Sequence, residues 1–420
     1  MNVHLAASLE AETELRLISH AKEHIISAQG SKPNYAIVQD SLLGAYKMTL
    51  GLVKIRKDRF QDLCMLSRLT LPEIQAKIQS IRRVFKAKNK KVQAYHGKGL
   101  ISLAFPNDFE FTLQNKADPN EPIVKIHQGV LYEGALDKRC LGPVVNGLIH
   151  RIHKEYGPDI TSNFIDIIQF LTNGFLLTVG FSIGLGDCVV SGPDKVEAIE
   201  DAVRKCYIEA EGISTSTNHP GIREARIMGA LSKARDIGLK IAKDALAPTN
   251  CLRDTVTSGS KGDYFNIAQI TGLLGQQNIM GKRVQKTMTN GRRTLPHYPI
   301  TDLSTEMEYE SRGFITSSFI KGLNPREFYF HMMSGREGVC NTATDTAKSG
   351  YIQRKCVKLT EDIKTEYDGT VRDTTGKIYQ LAYGGTGIDP KKTIRVNGKQ
   401  QPCDAGSVAE KLNLKYEMRL

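Results

Sequence analysis

Residues 324–367, Asn324-PREFYFHMMSGREGVCNTATDTAKSGYIQRKCVKLTEDIKTE-Tyr367, decide how the rest of the chain is read. Asn324, Pro325 and Glu327 occupy N-cap, N1 and N3 of a helix, where a side-chain acceptor, a pre-set φ and a reciprocal carboxylate act together. Tyr367-Asp368-Gly369 marks the expected stop, so the spacing predicts one long helix over 324–367. From Ala343 onward, positions 343, 346, 347, 350, 351 and 354 recur at helical spacing and hold Ala, Thr, Ala, Gly, Tyr and Arg. That stripe is too small and too polar for a core. The opposite stripe, Ile352, Cys356, Leu359 and Ile363, is apolar and is expected to pack on protein. The small face is then free for something flat that approaches the backbone closely, and a base pair is such an object.

Outward from this helix the text becomes familiar. Gly335 to Gly338 (GREG), Thr346-Ala347, Gly350 to Arg354 (GYIQR) and Tyr367 to Arg372 (YDGTVR) follow one another over about 40 residues. In that order they resemble the bridge helix of the largest subunit of multisubunit DNA-directed RNA polymerases of eukaryotic type. Two departures stand out. Asn341-Thr342-Ala343 replaces the usual Asp-Thr-Ala, and Asp345 stands where the family usually carries a lysine, so the resemblance carries no phosphate contact over to that position. The resemblance implies that Thr346, Ala347, Gly350 and Tyr351 lie against the template base pair, with Lys348 and Arg354 near the nucleic-acid backbone. It also implies that Arg336 buttresses the helix. Gly335 and Gly338 lower helical propensity by about 1 kcal/mol each relative to Ala, which would permit bending.

Composition agrees with such a partner without naming it. The 420 residues, 40% hydrophobic and 24% charged, can bury sizeable cores in two to four domains. A formal net charge of +12 favours a polyanion, because each cation that neutralises a phosphate releases a condensed counterion. Eight cysteines without a Cys-x-x-Cys pair read as reduced thiols of an intracellular protein rather than a zinc site. No 18-residue apolar run or export signal is present, so no membrane partner is expected.

The remaining chain reads as an α+β multidomain protein. By resemblance, 1–34 is the end of an active-site domain, 35–193 a mixed pore domain, 194–311 a funnel domain and 312–420 the start of a cleft domain opened by the bridge helix. Local patterns predict a helix over Leu9–Ile26, a turn at SKPN, a strand over Tyr35–Asp40 and a helix over Pro72–Phe85. A basic run follows (Arg82, Arg83, Lys86, Lys88, Lys90, Lys91), read as a solvated loop ahead of phosphate contact. Further turns are expected at Pro106-Asn107, Asp118-Pro119 and Gly157-Pro158. His150 and His153 share a helical face without a third ligand and read as a packed or surface pair. Gly180, Gly184 and Gly186 in GFSIGLGD lack the Lys-Ser/Thr of a phosphate loop and suit close backbone packing.

Residues 194–247 give the clearest pattern. Val196, Ile199, Val203, Cys206 and Ala210, then Ile227, Leu231, Ala234, Gly238, Ile241 and Ala245, alternate spacings of three and four, with a turn within Ser214–Gly221. An antiparallel helical hairpin follows from that alone. The resemblance makes it the funnel at the rim of a nucleotide-entry channel, with Lys261, Gln276, Gln277, Lys282 and Arg283 beside it. Gly259 to Gly262 is a turn whose exposed N–H groups suit an anion, and a helix starts near Tyr264. Gln276, Gln277 and Asn278 are expected in a helix, forming a buried amide network behind the bridge helix. Arg292 and Arg293 add charge. After Tyr367, Thr374–Lys377 is a turn, Ile378–Tyr383 is β-prone, and Gly384, Gly385 and Gly387 form a loop.

By resemblance the chemistry is in-line phosphoryl transfer assisted by Mg²⁺. The chain contains no run of three aspartates at alternate positions, so the metal is expected on aspartates outside it, as is the trigger-loop histidine. No catalytic or metal residue is assigned here. Expected partners are template DNA, RNA product, nucleoside triphosphates and other polymerase subunits, including the second-largest and the remaining pieces of the largest. The expected compartment is the nucleus, a viral factory in the cytoplasm, or a virion. The chain reads as one piece of a split or excised largest subunit. The alternative is a non-catalytic nucleic-acid-binding relative that kept the scaffold and lost the metal site.

Overall fold

The computed structural model describes residues 3–88, 95–114, 123–189, 193–247, 249–396, 399–402 and 405–417. Lys90, Lys91, the Asp118-Pro119 turn and the side chains of Val196, Ile241 and Ala245 lie outside the described residues. The chain divides into two compact units, one of Met1–Gly180, Thr257–Ser260 and Leu359–Leu420, the other of Phe181–Val256 and Lys261–Lys358.

In the first unit, helix Gln39–Thr49 lies on helix Pro158–Val179, and the closeness of the two has a local cause. A Cβ on Gly44 would stand 2.8 Å from the Thr172 carbonyl oxygen and 3.1 Å from Leu176, so only glycine permits this approach. Leu42, Ala45, Met48, Phe164, Ile168 and Leu171 fill the interface and are buried. Thr49 ties it to the neighbouring loop, its hydroxyl donating to the Ala45 carbonyl and accepting the Leu136 N–H. A three-stranded antiparallel sheet, Phe111–Leu113, Val124–His127 and Val130–Glu133 in that order, closes one side of the core. The predicted helix over Pro72–Phe85 spans Leu71–Ala87 and carries the Thr70/Glu73 capping box. Gly157, at φ 85°, breaks the chain between helices Leu148–Tyr156 and Pro158–Val179 at the expected turn.

Two expectations fail here. The helix predicted over Leu9–Ile26 stops at Leu17, because none of its residues is buried and no packing extends it. His20 then caps a separate 3₁₀ turn over Ala21–His24. The strand predicted over Tyr35–Asp40 is no strand. Ile37 is buried and donates its N–H to Leu141, but one hydrogen bond makes no ladder, and a helix begins at Gln39. Toward the C-terminus, Lys364–Thr365, Val371–Arg372 and Ile378–Gln380 form a small antiparallel sheet, with a turn over Asp373–Lys377 as expected. Gly384, Gly385 and Gly387 lie in the loop beyond it, all at positive φ.

The second unit is built on the predicted hairpin, helices Pro193–Ser216 and Pro220–Ala245. Ile199, Val203, Cys206, Ala210, Ile227, Leu231 and Ala234 are buried between them and their neighbours, as the spacing requires. The helix near Tyr264 runs over Tyr264–Thr271, capped by Asp263. Gln276, Gln277 and Asn278 are not helical. Gly275–Gln276 pairs with Phe314–Ile315, and Asn278–Ile279 pairs with Lys282–Arg283. Met280 (φ 51°) and Gly281 (φ 72°) form the two-residue turn of that second hairpin. Both central residues at positive φ match the twist of the flanking strands, and Met-Gly in place of Asn-Gly hides the turn from the sequence. In GFSIGLGD, a Cβ on Gly180 or Gly186 would meet nothing within 4 Å and one on Gly184 only Asp187 Oδ2 at 3.8 Å, so close packing among the described residues is not what these glycines serve.

The long helix spans Pro325–Thr360 rather than 324–367. Ile363 and Tyr367 fall beyond it, where Lys364–Thr365 has already turned to strand.

Candidate nucleic-acid interface

The long helix is anchored through its first third. Asn324 donates its N–H to Glu327 (3.0 Å) and accepts the Glu327 N–H at Oδ1 (2.9 Å), the reciprocal cap predicted from the text. Phe330 is buried against Tyr298, with ring centroids 6.4 Å apart. His331 Nδ1 lies 3.2 Å from the Gln277 Oε1, and burial holds its imidazole below the usual histidine range. Gln276 donates to the Gln277 and Arg312 carbonyls and Gln277 to the Gly275 carbonyl. The amide network behind the helix therefore exists for Gln276 and Gln277, outside any helix, while Asn278 is exposed and makes no side-chain hydrogen bond among the described residues.

One anchor escaped the sequence reading. Both carboxylate oxygens of Glu337 accept the Met280 N–H, at 2.8 and 3.0 Å. Glu337 sits inside GREG beside Arg336, and its acceptor chemistry opposite a turn N–H was the available signal. Arg336 itself is exposed and makes no hydrogen bond or ion pair among the described residues.

From Gly338 to Thr360 every residue of the helix is exposed. Thr346, Ala347, Gly350, Tyr351 and Arg354 lie on one stripe of this length, with Lys348 beside them. Thr342 and Thr346 turn their hydroxyls back to the carbonyls four residues earlier, at 2.9 and 2.7 Å, which leaves methyl groups outward. Lys355 covers the Tyr351 ring, its ammonium 4.0 Å from the centroid. A Cβ on Gly335, Gly338 or Gly350 would meet nothing within 4 Å. Of the apolar stripe expected to pack on protein, Ile352 (60%) and Leu359 (73%) are exposed, while Ile363 is half-buried. Between Arg336 and Lys358 the helix carries five basic residues against Glu337 and Asp345. A smooth, cationic, small-residue surface of this kind suits close contact with a flat anionic polymer.

The channel residues divide. Lys261 and Lys282 are exposed and free to meet an anion. Arg283 is not: it is 4% exposed and donates through Nε and Nη2 to the two oxygens of Glu224, both at 2.9 Å. Arg312 also donates to Glu224. Burial raises the Glu224 carboxyl, but the hydrogen bonds and charges of Arg283 and Arg312 outweigh it and hold the group below its usual range. Arg283 is thus a bolt between the hairpin helix and the strand, a correction forced by the carboxylate one helical turn into Pro220–Ala245. In the other unit, His150 is buried and accepts the Asn146 N–H at Nδ1, the packed histidine expected. Among the described residues no group of three or more His, Cys, Asp or Glu side chains could hold a metal ion. No helix among them is long and apolar enough to cross a membrane.

Comparison with known proteins supplies the family. Three family models match: RNA polymerase Rpb1 domain 3 over residues 24–188, domain 4 over 212–315 and domain 5 over 322–405. The chain is 44% identical to a probable DNA-directed RNA polymerase II subunit RPB1 homolog of Invertebrate iridescent virus 6, over 99% of this chain and 42% of that protein. It is 36% identical to a protein of Frog virus 3 (isolate Goorha) named as a DNA-directed RNA polymerase, over 93% of this chain and 28% of that protein. It is 34% identical to the DNA-directed RNA polymerase II subunit RPB1-B of Trypanosoma brucei brucei, over 95% of this chain and 22% of that protein. The chain therefore spans less than half the length of each of these relatives. Over that span it belongs to the Rpb1 family, as part of the largest subunit of DNA-directed RNA polymerase, eukaryotic and viral type.

Proposed function

We propose that this chain positions the template base for RNA synthesis and lines the path by which nucleoside triphosphates enter. In this reading Thr346, Ala347, Gly350 and Tyr351 face the template base, and Lys348 and Arg354 meet the backbone. Residues 35–193 form the pore and 194–311 the funnel. The observation that carries the reading is the exposed stripe of small residues on a helix whose first third is fixed by Glu327, Phe330, His331 and Glu337. A stripe so held can present its backbone at a constant height to a stacked base. The chain's own residues would bind and orient, while Mg²⁺, which supplies charge neutralisation at the transferring phosphoryl group, would rest on aspartates elsewhere in the enzyme. Its partners would be template DNA, RNA product, nucleoside triphosphates and the other polymerase subunits, in the nucleus, a viral factory or a virion.

The test is photo-crosslinking in the assembled polymerase. A benzoylphenylalanine at Ala347 is expected to label template DNA, while one at Ile352, on the opposite stripe, is not. Template-directed extension should depend on the companion polypeptides. Labelling of duplex without any extension by the full assembly would refute the reading in favour of a binding module that has lost catalysis.

A further inference from the structure

In the second unit a cleft of about 360 Å³ opens between the first hairpin helix, the short helix Thr305–Ser311 and the first turn of the long helix. Its wall carries four carboxylates, Glu200, Glu306, Glu310 and Glu327, against two cations, Arg204 and Lys321. Both cations are engaged, Lys321 with Glu200 at 3.9 Å and Arg204 with Asp201 at 3.5 Å. Glu310 is engaged by Arg326 at 3.1 Å. Glu306 and Glu327 are left with no ion pair among the described residues. Glu327 is the demanding one, being 3% exposed. Its Oε2 accepts the Asn324 N–H, and its Oε1 has no hydrogen bond among those residues. The cap satisfies Oε2 alone, and a cation that reached Oε1 would offset the desolvation of the group.

Tyr207 supplies a second, independent sign. It is 8% exposed and lines the same cleft. Its ring is stacked on Tyr309 (5.3 Å between centroids) and met edge-on by Phe314 (5.5 Å). Its hydroxyl makes no hydrogen bond among the described residues. Burial, then the negative charges of Glu306, Glu310 and Glu327, drive this phenol far above its usual range.

We propose that this cleft is a binding site for a guanidinium group, that of an arginine side chain presented by another polypeptide. Charge complementarity sets the sign of the ligand, and the number of acceptors beside apolar walls favours its kind. Tyr207, Glu306 and Glu327 line the cleft from three separate elements, and a planar fork of five N–H donors can engage more of their oxygens at once than a compact ammonium with three. Ile199, Val203 and Phe314 line the cleft beside them and suit the weakly hydrated faces of a guanidinium. The site stands on this unit alone and does not rest on the template reading.

The test uses the full chain with 3-fluorotyrosine at every tyrosine, read by fluorine NMR, with Tyr207→Phe identifying the Tyr207 line. N-acetyl-arginine amide is expected to shift that line with millimolar affinity, about −4 kcal/mol. Glu306→Gln should weaken the effect about tenfold, as loss of one charged acceptor implies. Spermidine and N-acetyl-norleucine amide are expected to shift it far less. No movement with the arginine amide, or an equal movement with the norleucine amide, would overturn the site. An equal movement with spermidine would overturn its assignment to a guanidinium. Glu327→Gln, which keeps the Asn324 cap through its amide oxygen, provides a second variant should Glu306→Gln disturb the fold.

Discussion

Glu224→Ala removes one carboxylate and exposes what it was doing. Arg283 loses both of its acceptors and Arg312 loses one, while Arg283 stays 4% exposed with its Nη1 already lacking a partner. Stranding a buried cation costs about 3–5 kcal/mol when the pair is fully buried. Glu224 is 42% exposed, so solvent already screens its side of the pair. We expect a loss of roughly 2–3 kcal/mol.

The chain comprises two units and need not unfold in one step, so hydrogen exchange is the right assay. Amides of Arg223–Ala230 should exchange roughly 30- to 150-fold faster in the variant, at 1.4 kcal/mol per factor of ten. Two controls sharpen the result. Glu209→Ala breaks an ion pair with Lys233 in which both partners are well exposed, and should cost under about 1 kcal/mol. Glu224→Leu with Arg283→Met replaces the pair by apolar volume and should recover most of the loss. If Glu224→Ala exchanged like the parent, or the double variant fared worse than the single one, the account of Arg283 as a buried bolt would be wrong.

Other outcomes follow from the same structure. Gly44→Ala drives a Cβ to 2.8 Å from a backbone oxygen and should destabilise the first unit by about 1–3 kcal/mol despite its helical gain, measured by urea denaturation. Gly335→Ala and Gly338→Ala meet nothing and should each stabilise the helix by about 1 kcal/mol, while slowing elongation in the assembled polymerase if bending there is part of translocation. His96 and His150 are both pushed down to about 4, by burial first and then by neighbouring positive charge. Each binds its proton more readily when unfolded, so its stabilisation is complete above the unfolded value of 6.5 and is lost as pH falls toward 4. That amounts to roughly 3 kcal/mol per histidine at about 1.4 kcal/mol per unit, and His150→Gln should flatten the pH dependence of urea midpoints between 7 and 5.

Legibility in the sequence tracked where the free energy is local. The hairpin helices were readable because Ile199, Val203, Cys206, Leu231 and Ala234 repeat with the period of the element they form, and they are buried as that period requires. The cap of the long helix was readable because Asn324 and Glu327 satisfy each other within four residues. What failed was set by distant partners. Gln276 became strand because Phe314, far along the chain, offered a ladder, and Asn278 because the Met280-Gly281 turn brought Arg283 back to it. Arg283 looked like a channel cation until Glu224 arrived from another element. The end of the long helix was missed by several residues because Lys364 found a partner in Arg372.

The same reasoning gives a last expectation for the exposed length of the helix. Residues 338–360 include Gly338 and Gly350, each costing about 1 kcal/mol relative to Ala, and Asn341, Thr342, Thr344 and Thr346, all weak helix formers. Every residue of this length is exposed, so little packing offsets them, and helices in proteins owe most of their stability to packing. A sequence selected for helix stability alone would place Ala, Glu and Lys at these exposed positions. Small residues there are intelligible if the stripe is shaped for a partner that supplies the missing packing. We therefore expect amides from Val339 to Lys358 to exchange quickly in the isolated chain and to slow by at least about tenfold when template and companion subunits are bound, whereas those of Phe328 to Met333, already anchored, change little. Equal protection of both segments before and after assembly would mean that the helix is stable without a partner, and the small stripe would then need another explanation.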